Sequence, residues 1–189
     1  MYQTSEFRKG LKVEIDNAPW IITDFQFVKP GKGQAFTRTR MKNMLNGSTL
    51  ERTYRTGESL APADVEDGNF TYLFNDGEGW HFMNAETFEQ IEVPKEVLAE
   101  QAGFLLEEMP CKILFYKGRP VQVEIPTFVE LMITYCEPGS RGNTATGGAM
   151  KSATLSTGAE IMVPLFIEQD TWIKIDTRDG SYVERVSKK

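Results

Sequence analysis

The chain has 189 residues, of which 40% are hydrophobic, and a formal net charge of -6. This hydrophobic content is enough for folded cores, while no apolar run approaches the roughly 18 residues that span a bilayer. The first eight residues also lack the apolar segment of a secretory signal, so we expect a soluble, cytoplasmic protein with no membrane partner.

Short alternating runs separated by turn residues fill the first 64 positions. A period of two is typical of strands that are buried on one face. The pattern therefore predicts a small five-stranded barrel over residues 1–64. Its strands are expected at residues 11–15, 20–22, 25–28, 36–42 and 50–54.

A loop rich in glycine separates the third and fourth of these strands, and Lys32 is its apex. Pro30 fixes one backbone angle, and the glycines on either side of Lys32 carry no Cβ, so the backbone can turn sharply and approach another surface closely. The loop thus presents one amine and little else. Its residues are Lys29, Pro30, Gly31, Lys32, Gly33 and Gln34.

The strand after this loop carries a row of cations. Because side chains alternate between the two faces of a strand, Arg38, Arg40 and Lys42 are expected on one face. Residues 26–55 contain seven basic side chains and a single acid, Glu51. Such a face could simply aid solubility, but we favour contact with RNA phosphates, which positions a protein without reading sequence.

The rest of the chain predicts two further β modules, at residues 65–127 and 128–189. Pro94 opens the only convincing helix of the sequence, in which Val97, Leu98, Gln101, Ala102 and Leu105 would share one face. Charge differs between the three regions: 10 basic against 7 acidic side chains in residues 1–64, 4 against 12 in residues 65–127, and 7 against 8 in residues 128–189. RNA would therefore meet the first region and be repelled by the second.

Residues that could carry chemistry have simpler explanations. Cys111 and Cys136 lie in apolar, strand-like runs and are interpreted as small core residues. Together with the lone His81, interpreted as a structural histidine, they cannot supply the four ligands of a structural zinc site. No complete nucleotide-binding motif is present, so an enzyme is not expected, and a small hydrolase is the least favoured class.

Several segments together resemble bacterial translation elongation factor P, over essentially the whole length of the chain. This family is related to the hypusine-containing translation factors of eukaryotes and archaea. The segments are the loop at residues 29–35 and residues 71–77, 80–83, 128–131 and 153–159.

The resemblance implies an SH3-like (KOW-like) barrel followed by two OB-folds, in an elongated, L-shaped body similar in outline to tRNA. It implies a monomeric, non-enzymatic factor without a cofactor or metal. Such a factor binds the ribosome between the P and E sites, touching rRNA of both subunits, and positions P-site peptidyl-tRNA to relieve stalling at consecutive prolines. Lys32 would receive a β-lysyl-type chain from an enzyme resembling a lysyl-tRNA synthetase.

The resemblance also assigns RNA contacts near the C-terminus. Tyr182 and Arg185 match the family's Tyr-Val-x-Arg ending, and Gly142-Asn143-Thr144 matches its Gly-Asp-Thr loop, although Asn143 replaces the usual Asp. Asp170 stands where a glycine is common, and we expect that turn to survive because Asp tolerates left-handed backbone angles. The alternative function is a general RNA-binding or transcription-linked β-barrel protein, in which an unmodified Lys32 is one phosphate contact among several.

Overall fold

The structure is a computed structural model that describes residues 1–138 and 148–188. These residues form three sheets, one single-turn α-helix and short 3-10 segments, which confirms the predicted all-β fold class. No helix among them is both long and apolar enough to cross a membrane. The chain divides into two compact units, one of Met1–Asp67 with Ile113–Gln122 and one of Gly68–Lys112 with Val123–Lys189. The domain limits after residues 64 and 127 stay a prediction.

The first sheet contains β1 (Tyr2–Gln3), β2 (Lys12–Ile15), β3 (Ala18–Val28), β4 (Phe36–Asn43), β5 (Thr49–Arg55) and β6 (Ser59–Pro62). Its strand order is β1-β6-β2-β3-β4-β5. The prediction of five strands was wrong in two respects. The short strands β1 and β6, which pair with each other, were not predicted. The runs expected at 20–22 and 25–28 form one strand, with a register shift between Ile22 and Asp24.

The core of this sheet is built from one face of each strand. In β4, Thr37, Thr39 and Met41 are buried while the cations between them are exposed. The buried residues around this core are Phe7, Leu11, Val13, Ile15, Ile22, Met41, Tyr54 and Leu60.

The inner part of a later hairpin, Ile113–Gln122, completes the first unit. The hairpin consists of β10 (Pro110–Tyr116) and β11 (Arg119–Glu124), numbered in chain order. Leu114, Tyr116 and Val121 pack against Met44, Leu45 and Val65. The Tyr116 hydroxyl also donates a hydrogen bond of 3.0 Å to the Asn17 carbonyl oxygen, 99 residues earlier.

The second sheet has the strand order β11-β10-β7-β8-β9. Its other strands are β7 (Val65–Asn75), β8 (Trp80–Asn84) and β9 (Gln90–Val93). The predicted helix is much shorter than expected. Helix α1 spans only Lys95–Leu98, because Ala99 adopts φ 49° and ψ -129°, and a 3-10 segment follows at Ala99–Phe104.

Packing within the second unit explains why the helix ends. Strand β12 (Phe128–Cys136) pairs with β13 (Met150–Leu155), and Ala159 lies in the segment that follows β13. Gly103 is so close to this segment that a Cβ on Gly103 would be 2.8 Å from the Ala159 Cβ. The Thr157 hydroxyl donates a 2.5 Å hydrogen bond to the Gly103 carbonyl. These contacts hold the segment in a conformation that a continued α-helix would not give, so tertiary packing overrides the helical pattern.

The third sheet has the order β14-β13-β12-β15-β16. Its remaining strands are β14 (Glu160–Pro164), β15 (Trp172–Asp176) and β16 (Ser181–Val186). Its core includes Leu131, Ile133, Leu155, Ile173 and Ile175, each no more than 1% exposed. Strand β13 was not predicted from the sequence.

Candidate nucleic-acid interface

The tip of the loop between β3 and β4 is exposed to solvent. Lys32 is exposed, and a Cβ placed on Gly31 would meet no atom within 4 Å. Gly33 has φ 112°, a backbone angle that other residues rarely adopt. Residues 29–33 make no hydrogen bond or ion pair with any residue that the structure describes. The loop therefore presents the Lys32 amine on a thin, unpaired tip, as its sequence predicts.

The base of the loop is fixed to the turn between β5 and β6. The Ala35 carbonyl oxygen accepts hydrogen bonds from the Thr56 backbone N–H at 3.2 Å and from its hydroxyl at 3.1 Å. The Gln34 side-chain amide donates to the Thr56 carbonyl at 3.4 Å. Thr56 could not be predicted from the sequence, because only the fold brings it next to residue 35.

The row of cations predicted on β4 is present, but its members are not equivalent. Arg40 donates from Nε at 2.9 Å and from Nη2 at 2.6 Å to one oxygen, Oε1, of Glu51. This hydrogen bond and the charge of Glu51 raise the pKa of Arg40 above its ordinary value. Arg38, with its guanidinium 5.6 Å from the Phe36 ring centroid, and Lys42 form no ion pair with a described residue.

A second acid lies on the other side of Arg40. Asp24 is the cross-strand neighbour of Arg40 on β3, and its Oδ1 lies 3.3 Å from Lys9 Nζ. The hydrogen bond and charge of Lys9 lower the pKa of Asp24, and Arg40 adds a smaller effect. A groove of about 440 Å³ runs over these strands. It is lined by Asp24, Gln26, Arg38, Arg40, Glu51 and Thr53, among others.

The other predicted contact residues belong to the second unit or are not described. Tyr182 is half-buried and Arg185 exposed on β16, the edge strand of the third sheet. Gly142, Asn143 and Thr144 lie outside the described residues. Asp170 adopts φ 63° and its N–H donates to the Ile133 carbonyl at 2.8 Å, so the turn forms as predicted.

The interpretation of His81 and Cys111 as structural residues agrees with their surroundings. His81 Nε2 lies 2.8 Å from Asp76 Oδ2, and its ring stacks on Phe74 with 4.6 Å between centroids. Cys111 is buried, which raises its pKa to about 12 and keeps it a thiol at neutral pH. Cys136 is half-buried and both cysteines are free.

Three sheets define a protein built of small β-barrels, and the first sheet carries an exposed, basic loop between β3 and β4. Family models then cover nearly the whole chain: the elongation factor P KOW-like domain at residues 3–60, its OB domain at 65–123 and its C-terminal domain at 129–185. The chain belongs to the elongation factor P family and is a translation factor.

Solved structures of initiation factor 5A proteins are also similar. The protein from Methanococcus jannaschii is 23% identical with a TM-score of 0.50, and the match covers 66% of this chain and 92% of that one. A family member from Naegleria fowleri is 20% identical with a TM-score of 0.46, over 66% and 96% of the two chains. The first likeness supports the fold.

Proposed function

We propose that this translation factor binds the ribosome between the P and E sites and positions the P-site peptidyl-tRNA through Lys32. Peptide bonds between poor substrates, above all consecutive prolines, then form before the ribosome stalls. The factor acts by orienting the reactants, which lowers an entropic barrier, while the ribosome supplies the chemistry. The protein is a binding factor and not an enzyme.

One observation carries the proposal: the Lys32 amine stands at the tip of a loop whose residues 29–33 make no hydrogen bond or ion pair with the described protein. A lysine with no structural partner on a thin tip can enter a crevice in RNA, and its charge and three donors suit phosphate or ribose oxygens. A covalent β-lysyl-type extension, attached by an enzyme resembling a lysyl-tRNA synthetase, would lengthen its reach. Family membership supports the same role.

The rest of the interface would orient the tip. Arg38, Arg40 and Lys42 contact phosphates of rRNA or tRNA in this proposal, and Tyr182, Arg185 and the Gly142-Asn143-Thr144 segment contact the small subunit. Phosphate contacts set register and orientation without reading bases. This matches a factor that must act on many different peptidyl-tRNAs.

The test compares two lysines of the same loop. Lys32→Ala should abolish the gain in synthesis of a reporter with consecutive prolines in a reconstituted translation system, while Lys29→Ala should retain most of it. A reporter without prolines and the thermal midpoint of each variant control for general translation and folding. Equal loss in both variants would favour the general RNA-binding alternative, and full activity of Lys32→Ala would refute the mechanism.

The intact mass of protein purified from its own host gives an independent answer. We expect an adduct that peptide mapping assigns to Lys32 and that is absent from the Lys32→Arg variant. An unmodified native mass would remove the extension from the mechanism.

A further inference from the structure

The acid that pairs with Arg40 is unusual for its surroundings. Glu51 is the only acidic residue between positions 26 and 55, where seven side chains are basic. The register of β4 and β5 sets it directly opposite Arg40, and each side chain has most of its surface exposed, 60% for Arg40 and 70% for Glu51. The pair therefore stands in solvent, where an incoming anion can reach it.

Glu51 occupies the N–H groups of Arg40 that would otherwise bind a phosphate. An arginine grips phosphate with two adjacent N–H groups of its fork. In Arg40, Nε and Nη2 both donate to Oε1 of Glu51. A phosphate oxygen that took these donors would have to displace the carboxylate.

Asp24 also lies opposite Arg40, but its ion-pair partner is a different residue. It lies in an ion pair with Lys9, so part of its charge is already balanced. Glu51 forms its ion pair with Arg40 alone among the described residues. Of the two acids, Glu51 is the one whose removal would free Arg40.

We propose that Glu51 competes with RNA phosphate for Arg40 and thereby sets the affinity and selectivity of the basic face. The inference rests on the proposed function in that the partner is RNA. A single phosphate that replaces the Glu51 carboxylate on Arg40 gains little binding free energy. An RNA surface that offers phosphates to Arg38, Arg40 and Lys42 together gains enough binding free energy to displace the carboxylate. RNA whose shape does not allow all three contacts is therefore bound weakly.

The experiment is a double-variant cycle on Arg40 and Glu51. Binding of a 20-base-pair RNA duplex, used as a probe of unselected phosphate, is measured by fluorescence anisotropy at several salt concentrations for the wild type, Glu51→Gln, Arg40→Gln and the double variant. Glu14→Gln on β2 is the matched control, because it removes the same charge from a carboxylate that forms no ion pair with a described residue. Glu51→Ala serves as a second variant in case the amide oxygen of Glu51→Gln still accepts hydrogen bonds from Arg40.

Glu51→Gln should bind the duplex about three- to tenfold more tightly, and the slope of log K against log salt should steepen by up to about 0.9, one further phosphate contact. Glu14→Gln should change affinity by less than about twofold, as expected of a screened charge on β2, which is separated from β4 by β3 in the sheet. Arg40→Gln should weaken binding in the wild type, by a smaller factor than Glu51→Gln strengthens it because Glu51 already occupies the Arg40 donors, and should remove the whole gain when combined with Glu51→Gln.

Two results would overturn the inference: an equal gain in Glu14→Gln, which means general charge, or a gain that persists without Arg40. Parallel measurements with ribosomes separate this inference from the proposed function. If Arg40 and Glu51 are coupled in duplex binding while no variant binds ribosomes, the proposed function fails, and the competition between Glu51 and phosphate stands. If ribosomes bind but Arg40 and Glu51 show no coupling, only the proposed competition fails.

Discussion

Two hairpins of the molecule share a topology and differ in how their tips are satisfied. The β7–β8 tip, residues 76–79, is closed by its own side chains. Asp76 Oδ1 accepts the N–H groups of Glu78 at 3.0 Å and Gly79 at 2.9 Å, and Asp76 Oδ2 lies 2.8 Å from His81 Nε2. Asn75 Oδ1 accepts the Gly77 N–H at 2.7 Å.

The β3–β4 tip leaves comparable groups open. Its hydrogen bonds begin only at the base, at Gln34 and Ala35. The difference extends below the tips. On β8, Phe82 is fully buried and its ring lies 5.4 Å from that of Tyr72, whereas on β3 Phe27 is 60% exposed.

The same structural motif, a hairpin, thus has a tip that supports folding in one case and a tip that is available for binding in the other. Backbone N–H and C=O groups need partners, and a turn that supplies its own is stable without a ligand. A tip that supplies none keeps its donors for water or for another molecule. Binding residues are expected on such loops when a rigid scaffold holds their base.

The largest effect is expected from removing the open tip. Replacing residues 29–33 by Asn-Gly, which shortens the loop but keeps Gln34 and Ala35, should reduce synthesis of a reporter with consecutive prolines to the level without the factor. Stability should change by less than about 1 kcal/mol, because residues 29–33 make no hydrogen bond or ion pair with a described residue and loop shortening has a small entropic effect. Denaturant unfolding and the reporter assay measure the two quantities. Residual rescue by the shortened protein would contradict the role of the loop.

Substitution of two phenylalanines tests the difference in burial between the β7–β8 and β3–β4 hairpins. Phe82→Ala should lower the free energy of unfolding by about 3–5 kcal/mol, because it empties a fully buried site. Phe27→Ala should lower it by less than about 0.5 kcal/mol, as at most surface positions. Urea unfolding of both variants gives the ratio. Similar losses would show that the outer part of the β3–β4 hairpin is more important for folding than its exposure indicates.

The sequence predicts elements where one pattern dominates. In β4 the alternation of Thr37, Thr39 and Met41 with the cations fixes which face is buried. Strand β13 escaped prediction because its buried side chains include Lys151 and Ala153, which do not mark a strand. The helical spacing after Pro94 was misleading, since close packing at Gly103 decides that segment.

The candidate site divides in the same way. The exposure of Lys32 follows from its glycine neighbours and could be predicted locally. The pairing of Arg40 with Glu51 could not, because it depends on the register of β4 and β5, and a shift of one residue would turn Glu51 to the other face. The lone acid in a basic stretch was visible in the sequence, but its partner was not.

A smaller effect is expected from the closed tip. The N–H of Gly79, the hydrogen bond to His81 and the N–H of Glu78 lower the pKa of Asp76 below its usual range. A carboxyl with a lowered folded-state pKa stabilises the protein above its unfolded pKa of about 3.9, and this stability is lost as the pH falls through the folded value. Asp76→Asn should therefore lower the thermal midpoint at pH 6 and make its fall between pH 6 and pH 3 shallower. Asp64→Asn, an exposed acid, is the control, and parallel curves for all three proteins would exclude this role of Asp76.

The smallest effect is expected at the base of the open tip. Thr56→Val removes the hydroxyl that donates to the Ala35 carbonyl but keeps the backbone N–H bond to the same oxygen. The free energy of unfolding should fall by no more than about 0.5 kcal/mol, whereas trypsin should cleave after Lys32 about twofold faster, since the base of the loop is held less firmly. Thr53→Val on β5, whose side chain makes no hydrogen bond with a described residue, should change neither quantity. Unchanged cleavage in Thr56→Val would mean that the backbone bond alone fixes the loop.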